Sequence, residues 1–148
     1  YHRDLHSFPT RRSSDLAGVW LEVTTLLIPG LNDSPDELGQ AARFLARLDP
    51  ELPWHLTAFH PEHRVRDRPR TPPETLERAV ELGREAGLEY VYAGNVELAG
   101  GGTTRCPGCG AVVVERRGLR LAALSLVDGA CPACGTRLAG RWGTAGRS

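Results

Sequence analysis

Four cysteines carry the clearest chemistry in this 148-residue chain. They form two C-P-x-C-G motifs, which read C-P-G-C-G over residues 106–110 and C-P-A-C-G over residues 131–135. A gap of two residues lets both thiolates of a pair bind one tetrahedral ion, and the following glycine allows a tight turn that directs backbone N–H groups at sulfur. The predicted ligands of one shared metal ion are Cys106, Cys109, Cys131 and Cys134.

The segment between the two pairs favours a small β module built around that ion. The stretches AVVVERR and LRLAALSL can pair as strands, which predicts a zinc ribbon over residues 103–142. Zinc is the favoured metal, with iron as the alternative, because paired C-P-x-C-G motifs also resemble rubredoxin. Two disulfides or a redox C-x-x-C are further interpretations. Both are disfavoured by two matched pairs in a compartment that keeps thiols reduced.

Composition limits the setting and the partners of the chain. Its formal net charge is zero and only 6% of its residues are aromatic, which disfavours nucleic acid as a partner. No apolar run approaches the roughly eighteen residues of a membrane helix, and no secretory signal is recognisable. We therefore expect a cytoplasmic protein that does not bind membranes.

The two ends of the chain differ from the sequence between them. Residues 1–16, YHRDLHSFPTRRSSDL, have no sustained hydrophobic period and resemble a translated sequencing-adapter segment. We expect this segment to be non-native and disordered; a short native arm is the alternative. Residues 143–148 are expected to form a tail.

The first regular segment after this start predicts a strand and a helix. Residues 19–28 are apolar or β-branched on both faces, which is typical of a strand buried on both sides. Ser34 and Glu37 form a capping box for a helix that ends before Asp49-Pro50. The predicted buried face of this helix consists of Leu38, Ala41, Ala42, Leu45 and Leu48.

The same pattern then repeats. Residues 54–59 predict a second strand, Thr71 and Glu74 a second capping box, and residues 88–92 a third strand. The glycines at 100–102 predict a flexible hinge into the cysteine module. The apolar face of the second helix is predicted to comprise Leu76, Ala79, Val80, Gly83 and Ala86, with Gly87 as its C-terminal cap.

Alternating strands and helices predict an α/β fold with three parallel strands and two helices. Such a unit is either the edge of an open sheet or the last part of a (β/α) barrel, and in both cases function lies beyond the carboxyl ends of the strands. His60 follows the second strand there and is a candidate ligand contact, although a solvated loop histidine is the plainer interpretation. For the polar residues at 32–33 and 94–95, turn formation is favoured over ligand binding. A solvated loop is likewise favoured over an anion site for the arginines at 64–70.

Three segments identify a family resemblance. They are VTTLLIPGLNDSPDELGQAARFL, WHLTAFHP, and TPPETLERAVELGREAGLEYVYAGNV with CPGCG following. Together they resemble the AmmeMemoRadiSam system radical SAM enzymes, relatives of the pyruvate formate-lyase activating enzymes. The resemblance covers residues 19–142, and it implies that residues 17–99 are the C-terminal portion of a partial radical SAM (β/α) barrel.

The resemblance also implies cofactors that this chain cannot hold alone. Family members bind a [4Fe–4S] cluster through C-x-x-x-C-x-x-C, and the cluster reductively cleaves S-adenosylmethionine to start hydrogen abstraction from a substrate. This motif is absent here, so we expect a C-terminal fragment that is inactive by itself and contains no catalytic residue.

Only a few residues carry over from the family. Leu27 and Ile28 match positions that border the adenosine, and His60 matches a histidine that faces S-adenosylmethionine. Memo-like and AMMECR-like proteins are partners implied by the family name. The alternative function is a zinc-ribbon module on an α/β platform that binds protein or nucleic acid.

Overall fold

The computed structural model describes residues 19–62, 66–96, 98–118 and 120–142. The segments 1–16 and 143–148, for which a non-native start and a tail are predicted, lie outside the described residues. Two sheets and two helices follow in chain order. Their bounds are β1 (Val23–Leu27), α1 (Pro35–Leu48), β2 (Trp54–Ala58), α2 (Pro73–Glu85), β3 (Val91–Gly94), β4 (Thr104–Arg105), β5 (Val112–Arg117) and β6 (Arg120–Leu124).

The first sheet is parallel, with the strands in the order β1-β2-β3. Both helices pack against one face of this sheet and against each other. Trp54 and Leu56 from the central strand are completely buried beneath them. The predicted α/β unit of three parallel strands and two helices is therefore confirmed. Within the described part of the chain, no helix is long and apolar enough to cross a membrane.

The prediction that the first strand is buried on both sides is wrong. Leu27 on the helix-facing side is fully buried, whereas Leu26 on the opposite side is 43% exposed and Thr24 is exposed as well. The helices cover only one face of the sheet, and the cysteine module contacts the other face at Tyr92 of β3, so Leu26 on β1 stays uncovered. The strand is also shorter than residues 19–28, since its ladder with β2 begins at Val23.

Local sequence signals place α1 correctly. Ser34 is the N-cap: its Oγ accepts the Glu37 N–H at 3.3 Å and donates to the Glu37 carboxylate at 2.7 Å. Of the predicted face, Ala41 is exposed and Gly39 is buried in its place. The Arg43 side chain of the same helix covers Gly39, since its guanidinium lies 3.1 Å from where a Cβ at position 39 would stand.

The predicted capping box at Thr71 does not form. The N-cap of α2 is Pro72, which makes no side-chain capping bond. The Thr71 hydroxyl instead accepts the Phe59 N–H at 2.7 Å and donates to the Leu27 carbonyl at 2.6 Å. The Thr71 hydroxyl therefore bridges the carboxyl ends of β1 and β2. Thr71 is buried there and does not cap α2, because both backbone groups need a hydrogen-bond partner.

The third strand begins later than residues 88–92. Leu88 belongs to the C-terminal cap of α2, since its N–H donates to the Gly83 carbonyl and the preceding Gly87 has a φ of 99°. The Glu89 N–H then donates to the Pro50 carbonyl, and the Tyr90 carbonyl accepts the Trp54 N–H. The chain thus reaches the sheet at Tyr90, and β3 runs from Val91.

The cysteine module forms a second, antiparallel sheet in the order β4-β5-β6. The predicted pairing of its two longer strands is confirmed, while β4 is an additional short strand. The glycines of the predicted hinge are hydrogen-bonded to a strand of each sheet. The Gly101 carbonyl accepts the Ala93 N–H, and the Gly102 carbonyl accepts the Arg116 N–H. The glycines at this point permit close approach of backbones, because a Cβ on Gly102 would lie 2.9 Å from the Arg116 carbonyl oxygen.

Candidate metal centre

The two cysteine motifs fold into matching turns. In each, the glycine N–H donates to the carbonyl of the first cysteine at 2.8 Å: Gly110 to Cys106, and Gly135 to Cys131. Both glycines have a left-handed φ, 75° and 76° respectively. Glycine adopts this conformation at no steric cost, which explains why it follows each pair. The cysteines that the sequence places in two separate motifs are thereby held in equivalent geometries.

The four sulfurs converge on one point. All ligand atoms lie within 4.8 Å of one another, with Cys106 and Cys134 Sγ atoms 3.5 Å apart and Cys109 and Cys131 Sγ atoms 3.7 Å apart. A tetrahedral ion with metal–sulfur bonds of about 2.3 Å requires sulfur separations of about 3.8 Å. The cluster therefore has the size of a four-thiolate metal site. Cys106 and Cys131 are buried, and Cys109 and Cys134 are exposed.

The electrostatics of the cluster favour a cation. Thr136 lowers the pKa of Cys134 to about 6, since its hydroxyl lies 3.2 Å from the sulfur and its backbone N–H also bonds there. The Ala111 N–H lowers the pKa of Cys109, but the neighbouring sulfurs, Cys134 first, outweigh it and raise that pKa to about 12. Four thiolates this close repel one another unless a positive ion lies between them. A bound divalent cation removes this obstacle.

The groups that hydrogen-bond to the cysteine sulfurs include one residue, Thr136, that was not predicted from the sequence. The N–H groups directed at sulfur come from Ala111 and Thr136, the residues directly after the two glycines. Thr136 also directs its hydroxyl at sulfur. Gly108 leaves room for this hydroxyl, because a Cβ on Gly108 would overlap it. The signal was a hydroxyl residue directly following C-P-A-C-G.

Two tyrosines join the metal module to the parallel sheet. Tyr90 is buried in the same core cluster as Cys106 and Cys131, and its hydroxyl accepts the Ala139 N–H at 3.3 Å. Tyr92 packs against that cluster, and its hydroxyl lies 2.9 Å from Thr104 Oγ1. The core of the ribbon is therefore completed by side chains from the α/β unit.

A cavity of about 260 Å³ lies where the two sheets meet. Its polar wall contains Glu22 and His55, whose Oε2 and Nε2 atoms are 2.8 Å apart, and the imidazole stacks on Tyr92. A hydrogen bond from Trp20 lowers the pKa of Glu22 first of all, and His55 acts in the same direction. Glu22, His55 and Tyr92 are thus bonded or stacked to one another, which gives His55 a structural role in this wall.

The opposite, carboxyl edge of the parallel sheet contains the other predicted site residues. His60 is exposed, and its Nε2 lies 3.4 Å from the Asn95 carbonyl oxygen. Leu27 is fully buried in the core, so only its backbone can border a ligand, and Ile28 is partly buried beside it. The prediction that these three residues contact S-adenosylmethionine stays a prediction.

The polar side chains in the loops at this edge mainly make hydrogen bonds to nearby backbone groups. The Asn32 side chain accepts the Ile28 N–H and donates to the Leu26 carbonyl, and Asp33 accepts the Gly30 N–H. These bonds support the preference for turn formation. In the arginine loop, Arg68 donates to the Pro29 carbonyl and Arg70 to the Asn95 carbonyl. The loop is therefore anchored across the strand ends and is not simply solvated, while positions 63–65 lie outside the described residues.

Comparison with known proteins identifies one relative of interest. The chain is similar to the uncharacterized protein MJ0808 of Methanocaldococcus jannaschii, with 41% identity over 124 residues. The match covers 82% of this chain and 37% of the archaeal protein, so the chain spans little more than a third of its relative's length. No protein-family model and no solved structure matches the chain.

Proposed function

We propose that residues 103–142 form a zinc ribbon whose ion is structural. The observation that carries this proposal is the convergence of the four sulfurs within 4.8 Å. When bound, zinc supplies a cross-link that joins the two turns, and all four positions of its tetrahedron are filled by protein sulfur. Iron is the alternative ion for the same donor set.

We further propose that the chain is the C-terminal part of a radical SAM enzyme of the activating-enzyme type. The three sequence segments that resemble this family contain the strands of the parallel sheet, and the last is followed by the first cysteine motif. The parallel strands follow in sequential order, and both helices lie on one face of their sheet. A stretch of (β/α) barrel has this arrangement, which supports the proposal.

The residues of this chain do not fit the [4Fe–4S] cluster of such an enzyme. The chain has four cysteines, and all of them belong to the ribbon cluster. A cluster with one open iron position needs three further thiolates. We therefore derive no catalytic step here. We propose that the cluster and most of the S-adenosylmethionine site belong to a part of the protein outside this chain. His60 and the backbone at Leu27 and Ile28 would then border the nucleoside.

The competing proposal is a protein-binding ribbon on an α/β platform without radical chemistry. It is favoured by the exposed apolar side chains of the ribbon, such as Leu121 and Leu124. Memo-like and AMMECR-like proteins are candidate partners under the enzyme proposal, through the family name alone.

Anaerobic reconstitution separates the two proposals. The complete M. jannaschii relative and this chain should be treated in parallel with iron and sulfide, then assayed for 5′-deoxyadenosine under a strong reductant. The enzyme proposal expects cluster formation and cleavage of S-adenosylmethionine by the relative, and neither by this chain. Failure of the relative to bind a cluster, or cleavage by the 148-residue chain alone, would contradict it.

A further inference from the structure

Strand β6 is an exposed edge of the ribbon. The order β4-β5-β6 places it outermost, and no strand among the described residues pairs with its outer side. All five residues Arg120–Leu124 are exposed, with Leu121 at 58% and Leu124 at 54%. An edge strand of this kind presents a row of backbone donors and acceptors that another chain can pair with.

Apart from Arg120 and one irregularity in the ladder, β6 lacks the usual protection of an edge strand. Its sequence, RLAAL, contains no proline, no lysine and no acidic residue. One irregularity interrupts its pairing with β5, between Glu115 and Arg116, and leaves Ala122 without a cross-strand partner in the register. Exposed leucines on an unprotected edge are a liability unless a partner covers them.

The charges at the end of this hairpin select the kind of partner. Arg117 lies directly opposite Arg120 in the antiparallel ladder, although like charges in opposite positions destabilise a hairpin. Arg117 is 80% exposed and has one acidic neighbour, Glu115, at 3.4 Å. With Arg116 included, strands β5 and β6 contain three arginines and one acidic residue. A carboxylate between the two opposed guanidinium groups would relieve their repulsion.

We propose that β6 binds an extended acidic segment of a partner protein as an additional β-strand. Backbone hydrogen bonds to the free edge supply affinity, alternate apolar side chains of the segment cover Leu121 and Leu124, and a carboxylate pairs with Arg117 and Arg120. Single-stranded nucleic acid fits less well, because β6 offers no aromatic ring for base stacking. This proposal is independent of the radical SAM proposal, since it involves the ribbon alone.

Two matched peptide arrays test the proposal on the zinc-loaded full chain. Both contain peptides of about ten residues with alternating apolar positions, and the remaining positions are Asp or Glu in one array and Lys or Arg in the other. The test variant is Arg117→Glu/Arg120→Glu. The matched control, Arg47→Glu/Arg84→Glu, makes the same charge change at exposed positions of the two helices. Hydrogen exchange of the β6 amides is measured with the best acidic peptide.

The expected result is binding to the acidic array that the test variant weakens at least about tenfold and the control variant keeps. The test variant should gain binding to the basic array, and the β6 amides should become protected. The proposal is overturned by binding to neither array, by equal binding to both, or by tighter binding to a single-stranded DNA oligonucleotide. Concentration-dependent protection of β6 without peptide would identify a second copy of the chain as the occupant and also overturn it.

Discussion

The Ala139 N–H donates to the phenol oxygen of Tyr90 over 3.3 Å, so a residue near the end of the ribbon is bonded to the residue where the chain enters the parallel sheet. Burial raises the pKa of Tyr90 to about 12, mainly through desolvation of the phenolate. The ribbon and the sheet are thereby joined by a group that must stay neutral.

This burial predicts a loss of stability at high pH. The folded-state pKa of Tyr90 lies above the value of 10.0 for an unperturbed tyrosine, so its contribution is fully present below about pH 10 and is lost as the pH rises towards about 12. The chain contains no lysine, so no lysine titrates in this pH interval. Burial also raises the pKa of Tyr92, which therefore contributes to the same loss of stability. In urea unfolding of the zinc-loaded protein, Tyr90→Phe should flatten the decline of the unfolding free energy across this interval. An unchanged slope would show that Tyr90 is not buried as described.

The metal cluster predicts one divalent ion per chain. Replacing Cys106 or Cys131, the two buried ligands, with Ser should abolish stoichiometric metal binding, because three thiolates leave the tetrahedron open. The ribbon should then unfold, since a segment of this size has too little apolar core to be stable alone. Metal analysis and thiol titration measure both effects, with Ser125→Ala as a control outside the cluster. Two disulfides and no metal in the unmodified protein would refute the prediction, and iron would favour the rubredoxin-like alternative.

The contact between Gly108 and Thr136 predicts a specific dependence of metal affinity on side-chain size. Gly108→Ala should lower the affinity about 10- to 100-fold, because its Cβ displaces the hydroxyl that bonds to Cys134. In the background of Thr136→Ala, the same change should cost less, since the overlapping oxygen is absent. Competition with a chelator measures all four proteins of this cycle. Equal costs of Gly108→Ala in the two backgrounds would argue against the contact.

The buried hydroxyl of Thr71 predicts a large cost for an isosteric change. Thr71→Val leaves the Phe59 N–H and the Leu27 carbonyl without this partner, which should lower the unfolding free energy by about 2–4 kcal/mol. Thr71→Ser keeps the hydroxyl and should cost much less. Thr24→Val, on the exposed face of β1, is the matched control and should have little effect. Urea unfolding measures the differences, and equal stability of the Val and Ser variants would be inconsistent with the two bonds.

The sequence by itself determined the features whose causes are local. The cysteine spacing and the following glycines specify two turns that each present a pair of thiolates, and the structure brings the pairs together as predicted. Ser34 and Glu37 fix the start of α1 through contacts only three residues apart. The alternation of strands and helices determined the parallel sheet, because a crossover helix returns each strand to the same direction.

Tertiary structure alone decided the features that depend on distant partners. Thr71 occupies the position of a helix cap in the sequence pattern. Its hydroxyl instead hydrogen-bonds to the Leu27 carbonyl and the Phe59 N–H, 44 and 12 residues away, because these buried backbone groups need partners. The apolar residues of β1 suggested burial on both sides, but which face is covered depends on where the helices pack. The Glu22–His55 pair and the bond from Ala139 to Tyr90 join positions 33 and 49 residues apart. No local pattern encodes such pairs, since the first depends on the pairing of β1 with β2 and the second on the packing of the ribbon against the parallel sheet.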